Sequence, residues 1–265
     1  VLNKTRDAGG VYADFESNVT EKLLASAAVR AENYSDFGSN VSGKLSARYD
    51  FTKQFALRSS ASTGFRAPSL QQQYFATTST NFINGVPFEI STFPVSDPIA
   101  VALGAQALEP EKSKNLSVGA VLQTGDFNLT VDAYQIKVDN RIVLSENLTA
   151  TNVRAFLIAQ GFIGAGGGRF FINGVDTTTK GVDVVGSYVI RTESAGRFDL
   201  TATANFNKTS VTRIPSIPKL TSLNPAPILF DRNNVLSFER GTPKDKFAFS
   251  ANWKLSSFGA TVRAT

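Results

Sequence analysis

The feature that most constrains this chain is a strict alternation of apolar and polar residues that recurs along most of its length. In residues 40–51, one set of alternate positions is apolar or small, and the positions between them are polar or charged. A period of two places alternate side chains on opposite faces of a β-strand. The apolar set is Val41, Gly43, Leu45, Ala47, Tyr49 and Phe51, and the polar set is Asn40, Ser42, Lys44, Ser46, Arg48 and Asp50. Such a segment predicts a strand that separates an apolar environment from a polar one.

About ten segments of this kind follow one another, and their connections alternate between very short and long. This pattern predicts an all-β fold, an antiparallel up-and-down transmembrane β-barrel with tight turns at one end and long loops at the other. In lipid every backbone group must be paired, so such a sheet has to close. A soluble β-sandwich also has alternating strands and is the alternative fold. Sandwich strands usually have about five or six residues, so the longer segments here favour the barrel.

Residues 1–265 are interpreted as one partial barrel domain, with long loops where the alternation stops, at 69–110, 147–180 and 208–244. A structureless loop of the length of 69–110 is uncommon in a compact domain and is usually functional or disordered. Residues 149–161 have apolar positions at helical spacing and predict one short helix within the loops. A change of phase after Ala133 predicts a β-bulge near that residue.

The composition excludes several kinds of chemistry. The 265 residues include no Cys and no His, which removes thiolate metal ligands, a Cys nucleophile and the commonest general base. The net charge of +5 is carried by scattered residues, so nucleic-acid binding is not indicated. Gly164–Gly168 lacks the pattern of a phosphate-binding loop, and Glu109 and Glu111 are interpreted as solvated acids. We therefore predict no catalytic residue, no metal site and no cofactor.

The long segments contain the side chains that could bind a ligand. The aromatic residues of 69–110 could form a cap over the barrel mouth, or could anchor the loop on itself. The lysines and arginines of 208–244, including Lys219, would suit an anionic ferric chelate or a lipopolysaccharide phosphate, with a solvated face as the alternative. Arg66 could be a ligand contact, or could satisfy carbonyls or acids where its strand ends. The candidate ligand-binding residues are Arg66, Gln72, Tyr74, Phe75, Phe82, Phe88, Arg213 and Arg232.

Three groups of residues stand near the ends of predicted strands. They are Gly64-Phe65-Arg66-Ala67-Pro68-Ser69 with Leu108-Glu109-Pro110-Glu111-Lys112-Ser113, then Phe170-Phe171-Ile172-Asn173-Gly174 with Thr179-Lys180-Gly181-Val182-Asp183, then Gly241-Thr242-Pro243 with Lys246. Together, and in this order, they resemble TonB-dependent outer-membrane receptors. The resemblance implies a structural role for Gly64, Phe65, Arg66, Ala67, Pro68, Leu108, Pro110, Glu111, Asn173, Gly181, Val182 and Asp183.

The resemblance implies a barrel of about 22 strands, of which this chain would supply about ten. It also implies a plug inside the barrel, through which the TonB–ExbB–ExbD complex delivers proton-motive force in the outer membrane of a Gram-negative bacterium. Outer-membrane lipid and lipopolysaccharide would surround the wall. No plug, TonB-contacting segment or final strand with a terminal aromatic residue is recognisable, so we expect an internal piece of a receptor.

The functional hypothesis that follows is a receptor that binds and actively imports a large scarce nutrient, with a ferric siderophore as the default small-molecule chelate. Selectivity is expected in the three long loops, and the chain is not expected to be an enzyme. Two alternatives stay open. A passive porin-like channel would have the same strands, and an outer-membrane hydrolase would need a catalytic site elsewhere or a Ser–Lys device.

Overall fold

The computed structural model describes residues 3–83 and 86–265, and within 81–89 it describes a side chain only for Phe82. The strands are β1 (Ala8–Thr20), β2 (Leu23–Tyr34), β3 (Gly38–Asp50), β4 (Phe55–Arg66), β5 (Thr77–Ile83), β6 (Val86–Phe93), β7 (Glu111–Thr124), β8 (Phe127–Leu144), β9 (Gly168–Thr192), β10 (Gly196–Arg213), β11 (Asp245–Leu255) and β12 (Phe258–Ala264). The helices are α1 (Leu70–Tyr74), α2 (Pro98–Ala102), α3 (Thr151–Ala159), α4 (Pro218–Thr221) and α5 (Arg232–Arg240).

Ten of the strands form a continuous antiparallel wall in the order β1-β2-β3-β4-β7-β8-β9-β10-β11-β12. Each strand of the wall pairs with its neighbours, and β4 pairs with β7 across the whole first long loop. Within the described residues β1 and β12 are each paired on one side only, so the sheet is open. A single sheet of this order confirms the up-and-down prediction and excludes the sandwich.

The two ends of the wall differ in the length of their connections. At one end, β7 and β8 are joined by Gly125-Asp126, and β11 and β12 by Ser256-Ser257. Gly125 (φ 56°) and Ser256 (φ 52°) supply the left-handed backbone that these two-residue turns require. At the other end lie the 35–37 turn and the three long loops. We call these the turn end and the loop end.

The two faces of the wall differ in polarity, as the alternation predicts. On the outward face, large apolar side chains are left uncovered, and Val41 and Leu45 are 68% and 64% exposed. On the inward face, hydroxyl groups pair across strands, with Ser26 and Ser46 joined at 2.6 Å and Ser60 and Ser117 at 2.8 Å. A β-sheet normally packs at least one apolar face against other protein segments. Here no other described segment covers the apolar outward face, so this face suits contact with lipid. No helix in the described ranges is long and apolar enough to cross a membrane.

The first long loop is more ordered than the sequence predicted. Residues 69–110 contain two helices and the β5–β6 hairpin, so the expectation of a structureless loop is wrong. Ser69 and Gln72 form a capping box at the start of α1, and Asp97 caps α2 ahead of Pro98. These local signals are strong helix starts, but helices this short leave no apolar periodicity in the sequence. The prediction of one loop helix is also wrong, because the described residues contain five helices.

The predicted bulge near Ala133 is also misplaced. β8 pairs with β7 in regular register through Ala133, and the irregularity lies farther along, between Val138 and Ile142, where β8 faces β9. Asn140 has a positive φ of 57° there. The change of phase has another cause: Tyr134 and the apolar residues that follow it lie on the inward face.

β9 begins at Gly168, so the second long loop is shorter than 147–180.

The buried apolar core of the described chain lies at the loop end and not within the wall. The long loops pack on the first residues of β9 and on β8, and their side chains form one cluster. We call this cluster the loop core, and its members are Ala100, Leu103, Ala105, Val143, Leu148, Val153, Leu157, Phe170, Ile172, Val175, Leu220, Leu229 and Phe230. The loops are therefore one packed unit.

Candidate functional site

A buried carboxylate ties three strands together at the loop end. Arg66, the last residue of β4, donates from Nε to Glu111 Oε2 at 3.0 Å and from Nη2 to Oε1. Glu111 begins β7, is 5% exposed, and also accepts the backbone N–H of Ile142 in β8 at 2.8 Å. The interpretation of Glu111 as a solvated acid is therefore wrong. The Arg66 guanidinium is therefore bound to a carboxylate of the neighbouring strand.

Asn173 links the first long loop to the wall. Its Oδ1 accepts the Glu109 N–H at 2.8 Å, and its Nδ2 donates to the carbonyls of Glu109 and Asn140, each at 2.8 Å. One side chain thus satisfies backbone groups from two separate segments. An aliphatic residue here would leave a donor and two acceptors without partners.

Arg213 and Asp176 form a second polar link beside it. The Arg213 Nε donates to Asp176 Oδ2 at 2.6 Å, and its Nη2 donates to Asp176 Oδ1 and Asn140 Oδ1, each at 2.8 Å. Asp176 also accepts the Asn140 N–H at 2.8 Å. The bond from Arg213 is the largest influence on the pKa of Asp176, and with the Asn140 bond it outweighs burial and lowers that pKa.

A cleft of about 560 Å³ opens between the α2–β7 connection and the β10–α4 connection, directly over these links. Gln106, Asn140 and Asn173 supply amides, Arg213 and Lys219 supply positive charge, and Glu109 supplies a carboxylate. Lys219 and Arg213 are both exposed. Converging amides and cations can recognise a polar, anionic molecule. We call this the loop cleft.

The inward face below the cleft explains two residues of the second motif. The Tyr134 ring lies against Gly181, where any side chain would collide with it. Asp183 accepts from the Asn205 side chain, which also reaches the Tyr134 hydroxyl at 3.4 Å. The glycine and the aspartate therefore belong to an inward polar cluster with Tyr134 and Asn205.

A belt of polar and charged residues crosses the inward face at directly paired positions. Its central contact is a salt bridge from Arg58 of β4 to Asp132 of β8, which passes over Gly119 of β7. The belt consists of Arg48, Arg58, Gly119, Asp132, Asp183, Asn205 and Lys246. Each lies on the inward side of its own strand, but only the register across β4 and β7 aligns them. Sequence reasoning missed the belt for that reason.

The predicted aromatic cluster is divided in the structure. Phe75 and Phe82 are 48% and 73% exposed, whereas Phe93 packs on the loop core. The Lys4 Nζ lies 5.2 Å from the centre of the Tyr74 ring. The Phe88 side chain lies outside the described residues.

The remaining polar candidates are dispersed. The Gln72 side chain accepts from the Ser69 N–H at 3.0 Å within the capping box. Arg232 is exposed at the start of α5. Among the described residues, Arg213 is the one predicted ligand-binding residue that lines the loop cleft. Lys219 belonged to the basic set of 208–244, but nothing in the sequence signalled Gln106 or Asn140. No three acidic side chains in the described ranges cluster as metal ligands would.

Comparison with known proteins gives a consistent picture of the fold. The family model described as "TonB dependent receptor-like, beta-barrel" matches residues 2–264. No curated protein matches the chain. The siderophore receptor PirA from Pseudomonas aeruginosa superposes with a TM-score of 0.61 at 13% identity, over 97% of this chain and 39% of PirA.

Two further solved structures have other cargoes in their names. The copper transporter OprC gives a TM-score of 0.58 at 12% identity over 97% of this chain and 35% of OprC. The RagAB peptide importer gives 0.59 at 13% identity over 93% of this chain and 32% of its own length. The chain thus spans less than half of each of these proteins. At such identities the similarity concerns the fold alone.

Proposed function

Because the chain belongs to the TonB-dependent receptor-like β-barrel family, we propose that it is part of an outer-membrane receptor that imports a large scarce nutrient. The observation that carries the proposal is the two-faced wall, which is apolar and uncovered outside and lined by polar side chains inside. Such a wall suits lipid on one side and a wet interior on the other. We place it in the outer membrane of a Gram-negative bacterium, with the loop end outside the cell.

We assign cargo recognition to the loop cleft and take a ferric siderophore as the default cargo. The cleft has two cations, three amides and one carboxylate around a space of about 560 Å³. An anionic chelate with several oxygen atoms would complement the cations and the amide groups of Gln106 and Asn140, whereas Asn173 is already bonded to backbone groups. The apolar loop core lies directly beneath the cleft and supports these groups, because Ala105 and Ile172 belong to the core and also line the cleft.

We attribute the energy for import to the TonB–ExbB–ExbD complex, acting through a plug inside the completed barrel. The inward belt supports this proposal, since Arg58, Asp132 and Lys246 present both signs of charge to an occupant of the lumen. The matching family model describes a receptor barrel and not an enzyme. We accordingly propose that the chain performs no covalent chemistry.

Uptake by cells that produce the intact protein tests this function. Gram-negative cells with and without TonB would be supplied with radiolabelled ferric catecholate and ferric hydroxamate chelates. Uptake of one of them should require TonB and should fall severalfold in Lys219→Gln, which removes a cleft cation. Lys53→Gln, an exposed lysine at the turn end, is the matched control and should leave uptake unchanged.

The other outcomes separate the alternatives. Uptake that persists without TonB would indicate a passive channel. Failure of both chelates to enter, while the protein is folded in the membrane, would overturn the siderophore assignment.

A further inference from the structure

The loop cleft holds two ionised side chains of opposite sign that lack an ion-pair partner in the described chain. Glu109 lies on the side formed by the α2–β7 connection, and Lys219 lies on the facing side, in α4. Both are exposed, and no salt bridge within the described residues includes either of them. Arg213, the other cation of the cleft, is already paired with Asp176. The charges left for a ligand are therefore one carboxylate and one ammonium group.

Both of these charges project from backbone that is held in place. The N–H and the carbonyl of Glu109 each bond to the Asn173 side chain at 2.8 Å. Lys219 precedes a leucine that is 1% exposed and belongs to the loop core. The two sides of the cleft also touch, because a methyl group added to Gly104 would lie 2.5 Å from Ile217 Cγ2. A ligand therefore meets the carboxylate and the ammonium group on two sides whose spacing is fixed.

Taken together with Asp176, the cleft carries no net charge. Its two cations, Arg213 and Lys219, are matched by the carboxylates of Glu109 and Asp176. A trianionic tris-catecholate chelate would be attracted by Lys219 but repelled by Glu109. A chelate with a neutral core would avoid this repulsion, and the amides of the cleft can bond to the oxygen atoms of such a core. The cleft thus favours a ligand that is neutral overall and carries both signs of charge.

We propose that the loop cleft selects a zwitterionic chelate, which has a neutral metal–oxygen core, one carboxylate arm and one ammonium arm. The inference deepens the cargo assignment given under Proposed function and rests on it. It keeps an anionic group for Lys219 and adds a cationic group for Glu109. A ferric trihydroxamate has such a core, because its hydroxamate groups balance the charge of the ferric ion. The carboxylate arm accepts from Lys219 on one side of the cleft, and the ammonium arm donates to Glu109 on the other.

The test measures the binding of radiolabelled ferric chelates to the intact protein in detergent micelles. The parent probe is a linear ferric trihydroxamate with a terminal ammonium group and a terminal carboxylate. In one derivative the amine is acetylated, and in another the carboxylate is converted to an amide. An exposed ion pair contributes up to about fivefold in affinity. Each derivative should therefore bind about fivefold more weakly than the parent.

Two variants assign each arm of the chelate to its partner. Glu109→Gln should lose the effect of acetylating the amine and keep the effect of amidating the carboxylate, and Lys219→Gln should show the reverse. The matched controls are Glu21→Gln and Lys53→Gln, which change exposed residues at the turn end and should keep both effects. Each variant is judged by the ratio of its affinities for two chelates, so a general loss of binding does not imitate the expected result.

Equal affinity of the wild-type protein for the parent chelate and both derivatives would overturn the proposal. Tighter binding of a ferric tris-catecholate than of the parent would also overturn it, as would the loss of both effects in Glu109→Gln. In these cases TonB-dependent uptake of any of the chelates would leave the proposed receptor function intact. Failure of every chelate to bind or to enter cells would instead overturn the siderophore assignment, and the inference with it.

Discussion

At the scale of single residues, the sequence motifs of this chain are structural links at the loop end. Glu111 is buried because it accepts from Arg66 and from the backbone of Ile142, which belong to different strands. Asn173 satisfies backbone groups of Glu109 and Asn140. Glu111 and Asn173, from the first and second motifs, thus reach across strands to partners that are remote in the sequence.

Replacement of Glu111 by Ala should destabilise the protein by about 2 kcal/mol, because a backbone donor and a guanidinium lose their acceptor. This loss of stability is modest for a buried acid, because the Arg66 side chain is 56% exposed and its guanidinium can be hydrated once the carboxylate is removed. Heat denaturation of the intact protein in detergent micelles would measure it. Glu109→Ala is the control, since its exposed carboxylate lines the cleft and should matter little for stability. Equal effects of the two variants would contradict the role assigned to Glu111.

The Asp176–Arg213 link should make the loop end sensitive to acid. The pKa of Asp176 is lowered below its ordinary value of 3.8, chiefly by the bond from Arg213. A carboxyl group whose folded pKa is depressed contributes stability above its unfolded pKa, and that stability is lost as the pH falls through the folded pKa. Cleavage of the 214–244 loop by pepsin should therefore increase below about pH 4.

Arg213→Gln should remove most of that pH dependence, because the Asp176 pKa would return toward its ordinary value. Arg191→Gln, which removes the exposed ion pair with Asp126 at the turn end, should keep the wild-type profile. An unchanged profile in Arg213→Gln would assign the acid sensitivity to another group.

At the scale of elements, small residues on the inward face let neighbouring strands of the wall fit together, because they leave room for side chains from those strands. Gly119 leaves room for the Arg58–Asp132 salt bridge, and Gly181 leaves room for the Tyr134 ring. Both glycines lie in regular strands, where a glycine normally weakens pairing. Their presence there is explained by close approach of a side chain from the next strand.

Gly119→Ala should destabilise the wall by about 2 kcal/mol, because the new methyl group would overlap the Asp132 carboxylate. Thermal unfolding of the intact protein measures the change. Gly186→Ala is the matched control, since the nearest atom to its added methyl group is Leu129 Cδ1 at 3.9 Å. Gly119→Ala combined with Asp132→Ala should cost less than the sum of the two single changes. Additive effects would contradict the overlap.

At the scale of the whole molecule, the described chain has a thin wall and a packed loop end. The wall takes its stability from backbone pairing, from side-chain contacts between its own strands such as that of Phe206 with Phe247, and from its surroundings, because no other described segment covers its outward apolar face. The loop end has its own apolar core, which joins all three long loops. The loops should consequently open together and not one at a time.

Leu157→Ala should loosen the loops as a unit. Leu157 is fully buried in α3 within the loop core, and its loss should cost about 2 to 5 kcal/mol of local stability. Hydrogen exchange should accelerate in α2 and α4 as well as in α3, while the strands of the wall stay protected. Ile158→Ala changes the next residue of the same helix, which is 53% exposed, and should have little effect. Faster exchange confined to α3 would show that the loops are independent.

The sequence by itself determined the wall: the alternation set the strands and their two faces, and the tight turns set their antiparallel order. Such information is local, because a period of two and a turn residue act within a few positions. Only the tertiary structure decided the loop core, the loop cleft and the partners of Arg66, Glu111 and Asn173. Those features depend on contacts between segments far apart in the chain, such as β4 with β7 across residues 67–110. The periodicity of the sequence does not indicate which of several polar or apolar side chains will come into contact between such segments.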